Sequence, residues 1–145
     1  MMNLEEFARA ITVAVKAAPK SINGVVKHLA DETARIARDE IGTYQEAVGP
    51  FPAWASLAES TEQDKARNGY PLNAPLERTG AMRDSIKAED YEGVAFAGSG
   101  DEKLYWHEHG MPKMPPRPVM GPAAIRATEN VEAVVNKALK TVFKR

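Results

Sequence analysis

The sequence predicts an α+β fold in which long amphipathic helices pack on a small antiparallel sheet. Apolar residues recur at three- and four-residue steps through the first 48 residues and again through the last 24, which indicates helices. Between them, two short β-rich runs flank an acidic turn, which is typical of a hairpin. A chain of 145 residues is the length of one domain, so we assign residues 1–145 to a single domain.

The first half of the chain predicts two helices. Residues 3–18 place Leu4, Phe7 and Ile11 on one face, with Asn3 as N-cap, and Pro19 is expected to end this helix. A second helix is predicted over residues 21–48.

The second half predicts a loop, a hairpin, a strand and a last helix. Residues 53–75 are expected to form a long ordered loop, with a short helical piece near residues 60–68. The runs 85–88 and 93–98 form the hairpin, and residues 103–109 follow as an extended segment. After four prolines between positions 112 and 118, Gly121 and Pro122 open a third helix that continues to the C-terminus.

Composition excludes several classes of function. The formal net charge of −1 gives no basic field for collecting nucleic acid, so sequence-specific DNA binding through a basic surface is disfavoured. The absence of cysteine removes disulfides and thiolate chemistry. No apolar run approaches the ~20 residues that cross a bilayer, and the N-terminus lacks the pattern of a signal peptide, so we expect synthesis in the cytoplasm without membrane insertion.

The pair His107 and His109 is the main candidate for chemistry. In a strand the two imidazoles share a face and could bind one metal ion, whereas in a helix they diverge by about 200° and could not. The zinc-peptidase pattern of two histidines four apart is absent. A metal-dependent hydrolase is therefore the alternative hypothesis, and polar side chains on a surface are the simpler interpretation.

Other polar clusters predict no reaction centre. The run Gly98–Asp101 has neither a nucleophile elbow nor a phosphate-loop lysine, and it indicates a turn leading into the next element. The acidic pairs Glu89/Asp90 and Asp101/Glu102 lie in polar turns where carboxylates are normally solvated. We therefore predict no catalytic, cofactor-binding or metal-binding residue, and a protein that is not an enzyme.

Three stretches together resemble the neck and tail-component proteins of tailed phages, the virion-morphogenesis and tail-completion group. They are residues 54–61, with a tryptophan-x-x-leucine entry, residues 75–86, with an arginine-threonine-glycine run, and residues 105–123, with a glutamate-x-glycine and a methionine-proline-x-arginine-proline segment. The sequence departs from the family pattern at Val119, where phenylalanine is usual, and at Met111, where threonine commonly follows the glycine.

The resemblance implies a virion structural protein, a head–tail connector subunit that acts by ring assembly during tail attachment. Its implied partners are copies of itself and other neck, tail or head-closure proteins, and genomic DNA would pass through the ring without sequence-specific binding. It would be made in the host cytoplasm and located in the neck or tail of the virion. A regulatory binding module remains a further alternative.

The proline segment and the residues 53–75 are the expected subunit contacts. Prolines leave few free backbone donors, so the segment can lie across a sheet edge, and Arg117 keeps a planar fork for a carboxylate of the same or the next chain. An intrachain strap over the core is the alternative for this segment. The contact candidates are Trp54, Leu57, Arg78, Met114, Pro116, Arg117 and Pro118.

Overall fold

The computed structural model describes residues 3–143 and confirms an α+β fold. Within this range it has six helices and one two-stranded antiparallel sheet. In chain order the elements are α1 (Leu4–Glu40), α2 (Glu59–Arg67), α3 (Ala81–Ser85), β1 (Ile86–Tyr91), β2 (Val94–Ser99), α4 (Glu102–His109), α5 (Met120–Thr128) and α6 (Val131–Phe143).

Helix α1 is one continuous helix of 37 residues, so the predicted break at Pro19 is wrong. At ~1.5 Å per residue it is about 55 Å long. A capping box starts it: the Asn3 side chain accepts from Glu6 N, and the Glu6 carboxylate accepts from Asn3 N, both at 2.9 Å. Pro19 lies inside the helix and removes one backbone hydrogen bond, which costs about 3 kcal/mol. Packing of α6 along this part of α1 offsets that penalty.

The same helix ends at Glu40, not at Val48 as predicted. Gly42 takes a φ of +96°, which an L side chain rarely adopts, and its N–H donates to Pro75 O at 2.9 Å. The chain therefore leaves the helix at Gly42, where this bond joins it to the segment before α3.

The hairpin is present, with Ile86 opposite Ser99 and Tyr91 opposite Val94, but the predicted turn at residues 89–92 is wrong because residues 89–91 pair with β2. Its inner face packs on α1, because Ala88 and Ala97 contact the core there. The predicted extended segment at 103–109 is wrong, since Asp101 caps helix α4 by accepting from Lys103 N at 3.0 Å. The predicted last helix is two helices, α5 and α6; residues 144 and 145 lie outside the described range.

The core lies where α1 passes between the hairpin on one side and α5 on the other. It is formed by Ala34, Ala37, Ile41, Trp54, Met82, Ile86, Leu104, Val119 and Ala123. Small residues on α1 at positions 30, 34 and 37 let both neighbours approach closely. No helix within residues 3–143 is both long and apolar enough to span a bilayer.

Candidate functional site: a basic groove beneath a proline strap

Three chain segments form a groove of about 730 Å³. Residues 56–65 form one wall, residues 76–82 a second, and residues between 103 and 117 the third. Apart from Lys65 and Lys103, the lining residues belong to the three stretches that resemble the neck proteins. The fold therefore brings together residues as far apart in the chain as Ser56 and Arg117.

Arg117 fastens the third wall to the first. Its guanidinium donates to Ala55 O at 3.0 and 2.9 Å and to Ser56 O at 3.0 Å, and its backbone N–H donates to His107 O at 2.7 Å. The residue is only 5% exposed, and burial lowers its pKa. Arg117 thus binds two carbonyl oxygens of its own chain in place of the expected carboxylate, and the proline segment is an intrachain strap.

Trp54 holds the strap from below. Its indole Nε1 donates to Pro118 O at 2.9 Å, and both side chains are buried. Three residues on, Leu57 N donates to the Tyr44 hydroxyl at 3.0 Å. Trp54 thus fixes the first wall to the strap through its side chain, whereas position 57 fixes it near the end of α1 through its backbone.

Glu108 caps helix α5 from a different element. Its carboxylate accepts three backbone N–H groups, from Val119 at 2.7 Å, Met120 at 3.0 Å and Gly121 at 2.9 Å. These are the first donors of α5, which the helix cannot satisfy by itself. A carboxylate also suits the positive end of the helix dipole.

The glycine of the glutamate-x-glycine pattern is required where the chain turns from α4 into the strap. Gly110 has a φ of +76°, and a Cβ there would lie 3.0 Å from the backbone nitrogen of Pro116. Any other residue would push the strap away from α4. Gly121, three residues into the region after the strap, is equally constrained because a Cβ would overlap the ring of Phe51.

The groove is predominantly basic. Lys103 and Lys113 are exposed cations on its wall, and Arg78 is held at its rim by Asp64 at 2.8 Å and by the ring of Tyr70. Lys65 is 2% exposed and donates to Ala74 O, and burial lowers its pKa. The apolar floor beneath these cations is formed by Leu57, Leu76, Met82, Met114 and Pro115.

One carboxylate lines the groove, and it is already paired. Glu77 binds Arg83 at 2.7 Å. Lys103 has the Asp101 carboxylate at 3.9 Å, so among the described residues Lys113 is the groove's exposed cation without a salt bridge, and it can attract a carboxylate from another molecule. An anionic segment that also carries an apolar side chain matches both the rim and the floor.

The two histidines of α4 do not converge. His107 faces the groove, whereas His109 is exposed and its Nδ1 lies 3.0 Å from Tyr105 O. They are two residues apart on a helix, so the two side chains diverge by about 200°, the arrangement that cannot chelate. Among residues 3–143, no group of three or more histidine, aspartate or glutamate side chains is placed to hold a metal ion.

The environment of His107 disfavours its protonated form. Burial lowers its pKa, and the guanidinium of Arg117 lowers it further. Its buried Nδ1 has no hydrogen-bond partner in the part of the chain that the structure describes.

The seven contact candidates divide into two groups. Trp54, Arg117 and Pro118 are buried in the monomer, so they cannot offer side chains to a neighbour in this conformation; they hold the groove together from inside. Of the others, Leu57, Arg78 and Met114 line the groove, and Pro116 lies outside its lining. Leu57 and Met114 are half-buried, and Arg78 and Pro116 are exposed.

A buried ion pair behind the groove was not predicted. Arg126 of α5 donates to the carboxylate of Glu40 and, at 2.8 Å, to the side-chain oxygen of Gln45. Burial raises the pKa of Glu40 to about 7, against the opposing effect of Arg126, and Glu108 adds repulsion. The sequence held a signal for this pair, because Glu40 continues the apolar stripe of α1 one turn after Ile36. Nothing in the sequence pattern indicated that Lys65 would be buried.

No protein-family model, curated protein or solved structure matches this chain.

Proposed function

We propose that this protein is a structural subunit of a tailed-phage neck, which assembles into a ring and completes the connection between head and tail. One observation carries the proposal. The three stretches that resemble neck and tail-completion proteins are distant in sequence, yet all three line one groove, and Trp54 and Arg117 fasten the first stretch to the third.

The groove suits recognition of a protein segment. Its floor is apolar, its rim carries Lys103 and Lys113, and its strap is fixed by hydrogen bonds to its own chain. A rigid receptor of this kind loses little conformational entropy when a partner binds. We therefore assign to it an acidic segment of an adjoining virion protein, located above or below the ring.

The mechanism is assembly without bond making or breaking. Each subunit would present one surface to its neighbours in the ring and the groove to the next ring of the neck. DNA would pass through the ring opening without sequence-specific contacts.

Complementation of a gene deletion tests this function. In cells that produce the phage, deletion of the gene should leave filled heads and free tails unjoined, and a plasmid copy should restore joined particles. A Lys103→Glu/Lys113→Glu variant should reduce joined particles at least ~10-fold, because both reversed charges face the groove.

The matched control is Lys20→Glu/Arg67→Glu, which reverses two exposed cations that do not line the groove. It should complement as wild type does. Joined, infectious particles from the deletion strain would contradict the proposed function, and equal complementation by both double variants would remove the groove from it.

A further inference from the structure

Two apolar surfaces of the monomer are uncovered, and they lie on different elements. One is the outer face of the hairpin, and the other follows the N-terminal half of α1 and helix α6. We propose that these two surfaces bind each other between adjacent copies of this chain, and that this contact builds the ring. The contact presupposes the ring subunit proposed above and names the surfaces through which it forms.

The hairpin face follows from strand alternation. Ala88 and Asp90 point toward α1, where Asp90 binds Lys27 at 3.0 Å. The alternate positions therefore point away. Tyr91, Val94 and Phe96 lie on this outer side with 71%, 53% and 64% of their surfaces exposed.

This outer face is sizeable for a two-stranded sheet. Three large side chains that are more than half exposed present roughly 300 Å² of apolar surface. Patches of about 300–600 Å² on monomers are frequently functional. Beside Phe96 the backbone is open at Gly98, where a Cβ would meet nothing within 4 Å, so the face has a hollow that a neighbouring side chain can fill.

The second surface, which we call the arm, is formed by two antiparallel helices. Helix α5 contacts the C-terminal end of α1 through Arg126 and Glu40, and α6 then shares a crevice with Ser21 and Val25. The chain thus returns toward the start of α1, which makes α6 antiparallel to it.

Helical periodicity places an apolar stripe on each helix of the arm. At about 100° per residue, Leu4, Ile11, Val15 and Ile22 fall within about 40° of one another on α1, and Val135, Leu139 and Phe143 fall within about 80° on α6. Each stripe is rotated in the same sense, by roughly 90°, from the side where the two helices touch. In an antiparallel pair, equal rotations put both stripes on the same side, so they form one continuous face.

The arm face is exposed and uncharged at its centre. Leu4 is 83% exposed and Phe143 is 69% exposed, and no residue between 3 and 143 covers them. Lys16 lies about 100° from Val15 around α1, and Lys140 lies about 100° from Leu139 around α6, so each lysine borders the apolar stripe of its helix.

Charge favours the hairpin of another copy as the occupant of the arm. Apart from Asp90, which pairs with Lys27 on the inner side, the hairpin carries Glu89 and Glu92 against Lys87, whereas Lys16 and Lys140 border the apolar stripes of the arm. The two surfaces are therefore complementary in both hydrophobicity and charge.

A contact between two different surfaces is heterologous, so a pair of copies keeps one free hairpin and one free arm after the first contact. Such a contact adds subunits until the rotation closes a ring. An arm-to-arm contact would instead stop at a symmetric dimer. The two arrangements make different predictions for mixtures of variants.

Sedimentation velocity on purified full-length chains distinguishes them. A hairpin variant, Tyr91→Thr/Phe96→Thr, keeps strand-forming residues, and an arm variant, Leu139→Gln/Phe143→Gln, keeps helix-forming ones. All four positions are exposed, so circular dichroism should match wild type. Leu72→Gln is the control, because Leu72 is 56% exposed and belongs to neither surface.

Wild type and the control should self-associate between about 10 µM and about 1 mM, the range of weak interfaces. Each double variant alone should stay monomeric, with self-association weakened at least ~30-fold. An equal mixture of the two should form a one-to-one heterodimer and nothing larger, because one intact hairpin meets one intact arm.

Several results would overturn this contact. The first is a wild-type chain that stays monomeric throughout this concentration range, whether or not it binds vesicles or another protein. The second is a hairpin variant that assembles by itself. The third is a mixture of the two variants that forms no heterodimer. A chain found in the virion neck whose hairpin variant still assembles would retain the proposed function and lose this contact. A chain that is absent from virions but assembles through these two surfaces would retain this contact and lose the proposed function.

Discussion

Replacing Glu108 by alanine removes the cap of α5 in a single step. The carboxylate accepts three backbone N–H groups at 2.7–3.0 Å, and the substitution leaves all three without their partner. Capping substitutions cost about 0.5–2 kcal/mol, and hydrogen bonds to a charged group are worth about 1.5–3 kcal/mol. Because water can reach part of this site, we expect a loss of about 3 kcal/mol in the free energy of unfolding.

The assay is urea unfolding followed by circular dichroism, with thermal unfolding as a second measurement. For a chain of this length, 3 kcal/mol corresponds to a fall of about 10 °C in Tm. Glu108→Gln should lose about 2 kcal/mol, because one amide oxygen still accepts while the NH₂ group opposes a backbone N–H. Glu102→Ala is the control on the same helix, since Glu102 is exposed at its first turn. A Glu108→Ala variant within 1 kcal/mol of wild type would refute the capping role.

Three further predictions concern the interior. Because the pKa of Glu40 is raised to about 7, its contribution to stability is full below pH 4.5 and is lost as the pH rises to 7. The free energy of unfolding should fall by about 2–3 kcal/mol across this window. In urea titrations at several pH values, Glu40→Gln should flatten this dependence on pH. Pro19→Ala should raise stability by about 1–3 kcal/mol and increase helical ellipticity, whereas a helix that ended at residue 18 would gain neither. Arg117→Lys should lose about 2–4 kcal/mol by the same unfolding assay, because an ammonium group cannot span two carbonyls as the guanidinium does, and an unchanged midpoint would contradict the strap.

The element types were predictable where periodicity was long and unambiguous. The stripe of α1, the hairpin and the helical C-terminus all followed from apolar spacing. The errors lie at positions where tertiary contacts override a local signal. Pro19 stays inside a helix that α6 supports, and residues 102–109 form a helix because Asp101 caps it, although their apolar residues give no clear period.

The groove was predictable only in part. The proline strap and the tryptophan entry were singled out by their sequence patterns, but their burial depends on long-range bonds such as Trp54 to Pro118. Arg117 could have bound a carboxylate or carbonyls, and only the arrangement of residues 55 and 56 decides between them. A charged side chain in a motif indicates a strong interaction without identifying its partner.

The most direct measurement is a cryo-electron microscopy reconstruction of the neck in intact tailed particles from cells that encode this chain. A neck subunit predicts a closed ring between portal and tail whose density fits α1, the hairpin and the strapped groove, with the groove occupied by a segment of an adjoining protein. A fully assigned neck and tail with no density for this chain would contradict the proposed function.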